Sequence, residues 1–201
     1  MPHPLPPSFY ERAVDEVARD LLGRLFCRRT PDGTATAGIV VEAEAYFGPD
    51  DPASHAFRRT PRSEIMYGPP GVLYVYFTYG MHFCANVVAH GKGKVGAVLL
   101  RALEPVEGIE LMALRRGRVA LLKDGSVSRR ALCSGPAKLC QAMAIRREDN
   151  GADLQGPSIW IEEGRGRIPD REVAVTARVG IRAAAERPAR YVVKESPFLS
   201  R

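Results

Sequence analysis

The segment VLYVYFTYGMHFCANVV, residues 72–88, constrains the fold more than any other stretch of the chain. Its side chains alternate on both sides of Tyr79-Gly80-Met81, as expected of a β-hairpin with an odd, three-residue loop. That register pairs Thr78 with His82 and Tyr76 with Cys84. It gathers Tyr74, Tyr76, Thr78, His82, Cys84 and Asn86 on one amphipathic, aromatic face. Leu73, Val75, Phe77, Phe83, Ala85 and Val87 form the other face, which reads as core. A two-residue turn would scramble this division. Tyr79 and Met81 are left at the tip of the hairpin, and an apolar tip suits a solvated turn poorly. Tyr79 either folds back onto a neighbouring loop or serves as a wedge, an apolar side chain pushed between the base steps of a duplex.

A second string, VEAEAYFGPDD (residues 41–51), sets two glutamates into an apolar run. Strict alternation puts Val40, Glu42, Glu44 and Tyr46 on one side, and Ile39, Val41, Ala43 and Ala45 on the other. The glutamates then either face solvent or stand in a pocket wall beside an aromatic residue. In a pocket, a carboxylate can orient a water molecule and stabilise positive charge at a sugar carbon. His55 follows closely enough to cap the same pocket. A Mg²⁺-dependent nuclease built on Glu42, Glu44, Asp50 and Asp51 is a competing reading. Alternation argues against it, because Glu42 and Glu44 go to one side of a strand while Asp50 and Asp51 fall in a turn.

The remaining sequence reads as one domain, residues 1–201, of mixed α+β class. With 45% hydrophobic residues in 201, the chain can bury a single proper core. Ser8-x-x-Glu11 resembles a capping box for a helix carrying Val14, Val17, Ala18, Leu21 and Leu22, with Gly23 as its stop. RLFCRRT and TAGIVVEAEAY form a hairpin around PDG, VGAVLLRALEP a further strand, and residues 108–116 a helix. Ser134 is a candidate N-cap for the helix opening at Pro136. SIWIEE, VAVTARVGI and RYVVKE supply the last strands. The expected architecture is a curved, mostly antiparallel sheet with flanking short helices and a protruding β-hairpin.

A formal charge of +6 favours a polyanionic partner. The basic loop RRTPR and Lys138, in the first turn of its helix, are candidates for phosphate contacts. The N-terminal residues lack the pattern of a secretory signal, and no apolar run approaches the ~18 residues that span a bilayer. No Cys-x-x-Cys pair marks a zinc or redox site, so the four cysteines read as reduced thiols of a cytoplasmic protein.

The blocks VEAEAYFGPDDPASH, PGVLYVYFTYGMHFCANVV, VLLRALEP and LCSGPAKLCQA resemble, in that order, the alkyladenine (3-methyladenine) DNA glycosylase family. The resemblance extends from about Glu11 to Phe198. It implies a monofunctional enzyme that flips alkylated or deaminated purines out of double-stranded DNA and hydrolyses the N-glycosidic bond, acting as a monomer at the nucleoid. It makes Glu44 the general base and places Arg101 beside it and the scissile sugar. Tyr46, His55 and Tyr76 become walls of the base pocket and Asn86 its floor. Tyr79 fills the gap left by the flipped nucleotide, with Met81 beside it at the intercalating tip. Arg59, Arg62 and Lys138 are expected at the DNA backbone. No cofactor or metal is implied, since a purine methylated at N3 or N7 is already a good leaving group. A non-catalytic nucleic-acid-binding module on the same fold is the alternative.

Overall fold

The computed structural model describes residues 2–78 and 80–200. Helix α1 (Val14–Leu21) precedes strands β1 (Leu25–Arg29), β2 (Ala35–Phe47), β3 (Leu73–Thr78), β4 (His82–Val88) and β5 (Gly96–Glu107). Helices α2 (Ile109–Arg116), α3 (Arg129–Cys133) and α4 (Pro136–Ala142) follow, and strands β6 (Ile159–Glu162), β7 (Val173–Ala177) and β8 (Pro188–Val193) end the fold. Every named strand pairing is antiparallel, in the order β3-β4-β5-β2-β1-β6, with β8 joining β2 and β7 joining β8. The class is α+β, as the sequence reading expected. Among the described residues no helix is long and apolar enough to cross a membrane.

The long strands β2 and β5 form the spine. β2 is lined on one edge by β5, and on the other first by β1 and then, at Glu42–Glu44, by β8. One face of the sheet carries the main core, where Val40, Ala43 and Ala45 of β2 and Val98 and Leu100 of β5 meet the buried faces of all four helices. Burying apolar area of this kind is the principal drive to fold. The opposite face carries the polar and aromatic residues described below.

Strict alternation along β2 does not survive. Val40 pairs with Leu103, Glu42 with Ala102 and Ala43 with Leu100, so Val41 is an extra residue in β2 and Arg101 an extra residue in β5. A β-bulge places two residues opposite one and re-aims the side chains that follow. Val40 therefore lies in the main core with Ala43 and Ala45, not beside Glu42. Val41 instead packs with Ile39 and Ala102.

The aromatic hairpin adopts the expected odd register, with Tyr76 opposite Cys84 and Thr78 opposite His82. Its core face is core only at the base. Leu73, Val75, Ala85 and Val87 are buried, whereas Phe77 is 40% exposed. The reason is that β4 pairs with β5 only at Asn86–Val88, so the distal half of the hairpin projects beyond the sheet. There Phe77 and Phe83 cover each other, ring centroids 5.0 Å apart. Tyr79 lies outside the described residues.

Two expected caps are replaced. Residues Pro7–Phe9 close a separate 3₁₀ turn, with Tyr10 N–H donating to Pro7 O, and α1 begins later at Val14 without a side-chain cap. Burial of Tyr10, at 0% exposure, takes the chain away from the helix axis that Ser8 would have capped. At α4 the N-cap is Gly135, and Ser134 instead bridges to Ala102 of β5. The Arg-rich stretch before it contains the short helix α3, which the sequence pattern had not revealed.

Gly23 ends α1 at φ +88, donating its N–H to Val40 O and accepting from Arg165. A Cβ at this position would collide with the Gly166 carbonyl oxygen. Gly23→Ala should therefore cost at least the ~1–3 kcal/mol of a strained residue. The check is a lower urea midpoint at unchanged slope.

Candidate active site

The non-core face of the sheet collects side chains from four strands. Bulged β2 presents Glu42, Glu44 and Tyr46, β3 gives Tyr74 and Tyr76, β4 gives Asn86, and β5 gives Arg101. The sequence left open whether the glutamates face solvent. Both are fully buried, because β8 and the segment beyond it cover this part of β2.

Glu42 accepts four hydrogen bonds. Its Oε1 accepts from Arg101 Nε at 2.8 Å, Arg190 Nε at 2.7 Å and the Ser200 hydroxyl at 2.7 Å. Its Oε2 accepts from the Ser200 amide at 2.6 Å. Burial alone would raise the Glu42 carboxyl, but the bonds from Arg190, Ser200 and Arg101 outweigh it and hold the group below its usual range.

Glu44 receives the Val179 amide on Oε1 at 2.7 Å, and the Tyr46 hydroxyl on Oε2 at 2.9 Å. Arg101 Nη1 lies 3.3 Å away. An ionised carboxylate offers about four lone-pair sites, so these donors leave room for one more, such as a water molecule. Tyr46 stays protonated, its phenol pushed far up by burial first and by the neighbouring Glu44 charge second. Its ring lies under the buried Arg178 guanidinium, 4.7 Å from the centroid. Arg178 in turn forks Asp51 at 2.6 and 2.9 Å and reaches the Ala45 carbonyl at 3.1 Å. Asp51 thus locks the turn after β2, where its Oδ2 and Oδ1 also accept the amides of Phe47 and Ala53.

In front of Tyr46 opens a cavity of about 280 Å³, walled by Tyr46, His55, Tyr74, Tyr76 and Asn86 with Arg62 at its side. It lies just below the ~300–1,000 Å³ usual for ligand sites. The His55 and Tyr76 rings meet edge-on at 4.6 Å, and His55 Nδ1 is 2.9 Å from the Tyr74 hydroxyl. The structure therefore brings together Glu44, Tyr46, His55, Tyr76, Asn86 and Arg101 around one cavity and the ion cluster behind it. Asn86 also uses its Nδ2 to donate to the Tyr74 carbonyl at 3.1 Å, tying the base of the hairpin.

The outer residues distribute differently. Arg62 lies over the Tyr76 ring at 4.7 Å, within the cavity wall. Arg59 pairs with Glu64 and covers Tyr67 at 4.8 Å. Lys138 Nζ is 3.4 Å from Ser134 Oγ. Met81 is 68% exposed at the hairpin tip. Arg178, Val179, Arg190 and Ser200 escaped the sequence reading, because no local pattern links positions more than a hundred residues apart. Only the unusual density of acids in residues 42–51 hinted that cations had to come from elsewhere. The four carboxylates weighed for a nuclease do not converge. Glu42 and Asp51 are committed to separate arginines, and among the described residues no His/Cys/Asp/Glu group is arranged for a metal.

Burial, with Arg62 second, pushes the His55 imidazole down from 6.5 to about 4. Between those values the unfolded chain takes up a proton that the folded protein refuses, so stability falls as pH falls through that interval. Urea unfolding at pH 7 and pH 5 should show a larger acid loss for the parent than for His55→Gln. Equal losses would contradict the shift.

The profile of the methylpurine-DNA glycosylase family matches residues 8–197. A human protein named DNA-3-methyladenine glycosylase is 44% identical over 203 residues, covering 96% of this chain and 66% of that protein. A putative 3-methyladenine DNA glycosylase from Carboxydothermus hydrogenoformans is 45% identical over 199 residues, covering 98% of each chain. One from Chlorobaculum parvum is 44% identical over 194 residues, covering 96% of this chain and 88% of its own. The chain spans less than two thirds of the human relative but nearly the whole of the first bacterial one. With the buried Glu44 and the aromatic cavity in front of it, these similarities place the chain in the methylpurine-DNA glycosylase family.

Proposed function

We propose that the protein is a monofunctional DNA glycosylase of base excision repair, which flips damaged purines out of duplex DNA and hydrolyses their N-glycosidic bonds. The observation that carries this reading is the buried Glu44 carboxylate, joined through the Tyr46 hydroxyl to a small aromatic cavity. A binding module would have no use for such a charge behind such a cavity.

In this reading the flipped purine stacks among Tyr46, His55 and Tyr76 while Asn86 closes the floor. The negative charge of Glu44 stabilises the oxocarbenium-like sugar as the bond to the purine breaks, and Glu44 then takes a proton from the water whose oxygen bonds to the sugar carbon. Arg101 orients Glu44. His55, neutral at physiological pH, can face a base without adding charge. Alkylated purines that carry a positive charge leave readily. Deaminated purines are neutral, poorer leaving groups and take up a proton from solvent as they depart. Tyr79 and Met81 occupy the vacated stack, and Arg59, Arg62 and Lys138 serve the backbone. Flipping costs a few kcal/mol, less at damaged or mispaired sites, and this contributes to selectivity. The relatives' names specify 3-methyladenine, which we carry over as a substrate. We infer action by a monomer at the nucleoid.

Glu44→Gln should lose base release by ~10²–10⁴-fold in single turnover, the usual worth of a general base, while binding abasic duplex as the parent does. The parent should stay active in EDTA and leave an abasic site without cutting the strand. Excision by the variant within tenfold of the parent would remove Glu44 from this role. Strand cleavage that EDTA abolishes would support the nuclease instead.

Tyr79→Ala should weaken excision more at well-paired lesions than at lesions opposite a mismatch, where opening is easier. Equal losses in the two duplexes would dispose of the wedge.

A further inference from the structure

After β8 the chain reverses at Glu195, a non-glycine residue at φ 59, and runs back across the sheet. Phe198 and Leu199 pack against Ile39, Val41 and Ala102, the apolar residues at the paired bulge. This delivers Ser200 to the ion cluster. Its amide donates to Glu42 Oε2 at 2.6 Å and its hydroxyl to Glu42 Oε1 at 2.7 Å. The same hydroxyl oxygen accepts from Arg101 Nη2 at 2.9 Å.

Arg101 is 6% exposed, so each of its donors needs a partner inside the protein. Nε is held by Glu42, Nη2 by Ser200, and Nη1 is shared between Glu44 and the Val179 carbonyl at 3.5 Å. The guanidinium is a rigid plane. Fixing two of its corners on Glu42 and Ser200 fixes where the third presents its charge to Glu44. Without the hydroxyl, Nη2 loses this partner, and the plane can tilt about the remaining Glu42 bond.

We infer that Ser200 is a positioning residue for the hydrolytic step, holding Arg101 in the orientation that aligns Glu44. The inference rests on the glycosylase reading above. A purely structural alternative is that the tail only covers Ile39, Val41 and Ala102. Ser200→Ala separates the two, because it keeps Phe198 and Leu199 and the backbone bond to Glu42.

The experiment measures single-turnover excision from a lesion-containing duplex, affinity for the abasic duplex, and thermal unfolding, for the parent, Ser200→Ala and Ser200→Thr. Misalignment acting only in the transition state should slow the chemical step of Ser200→Ala by about tenfold or more at unchanged affinity. Ser200→Thr, which keeps the hydroxyl, should restore most of the rate. A Ser200→Ala protein with parental rate overturns the inference. So does a rate loss that threonine fails to restore, or one matched by an equal loss of affinity. A parent that releases no base overturns the glycosylase reading, and the inference with it. An active parent with an indifferent alanine variant overturns this inference alone.

Discussion

The buried cluster of Glu42, Glu44, Arg101 and Arg190 is the constraint around which the rest is arranged. Moving an ion into the interior costs several kcal/mol even after relaxation, and attraction between partners repays this only when their hydrogen-bonding capacity is filled. Here the two carboxylates and two guanidiniums balance in charge. The outstanding donors and acceptors are met by the Val179 amide, the Tyr46 hydroxyl and Ser200. Removing any one member would leave a buried charge or donor unmatched. The cluster is therefore costly as scaffolding for stability alone, and its geometry fixes one carboxylate in place beside the aromatic cavity.

The paired bulge is what lets a sheet carry such a cluster. An ordinary ladder would have directed Arg101 and Glu42 by simple alternation and placed Val40 beside the glutamates. The extra residue on each strand instead returns Val40 to the core, while Arg101 keeps the carboxylate face that alternation from Leu99 gives it. Bulges bend the strands that contain them, so the same irregularity bends the spine beneath the cavity. On the other side of Tyr46 a second buried pair, Asp51 and Arg178, fixes the turn and the ring.

The projecting hairpin follows from where pairing stops. With β4 joined to β5 only at its base, the distal residues have no third strand to lie against. Phe77, Phe83 and Met81 remain partly or mostly exposed. Such a tip would be a liability on an idle surface. The proposed wedge would give such a tip a use.

The alternation of residues 72–88 settled the hairpin register, and with it the shared face of Tyr76 and Asn86, because period-two patterning is local and a slip of one residue would expose the core. The acid-rich run ending in Tyr46 marked the strand that bears the proposed base, and four ordered blocks marked the family. The bulge was not legible, since Val40, Val41 and Ala43 are interchangeable to a hydrophobic pattern and only the partner strand decides which is extra. Nor were the cations, apart from Arg101, which the family resemblance set beside Glu44. Arg178 lies 127 residues from Asp51 and Ser200 lies 158 from Glu42. The sequence by itself thus determined which elements form and which residue types meet on the site face, through short-range periodicity. The tertiary structure alone decided which arginines neutralise the buried carboxylates and which tail residue closes the cluster, because charge pairing in the interior depends on distances that chain order does not encode.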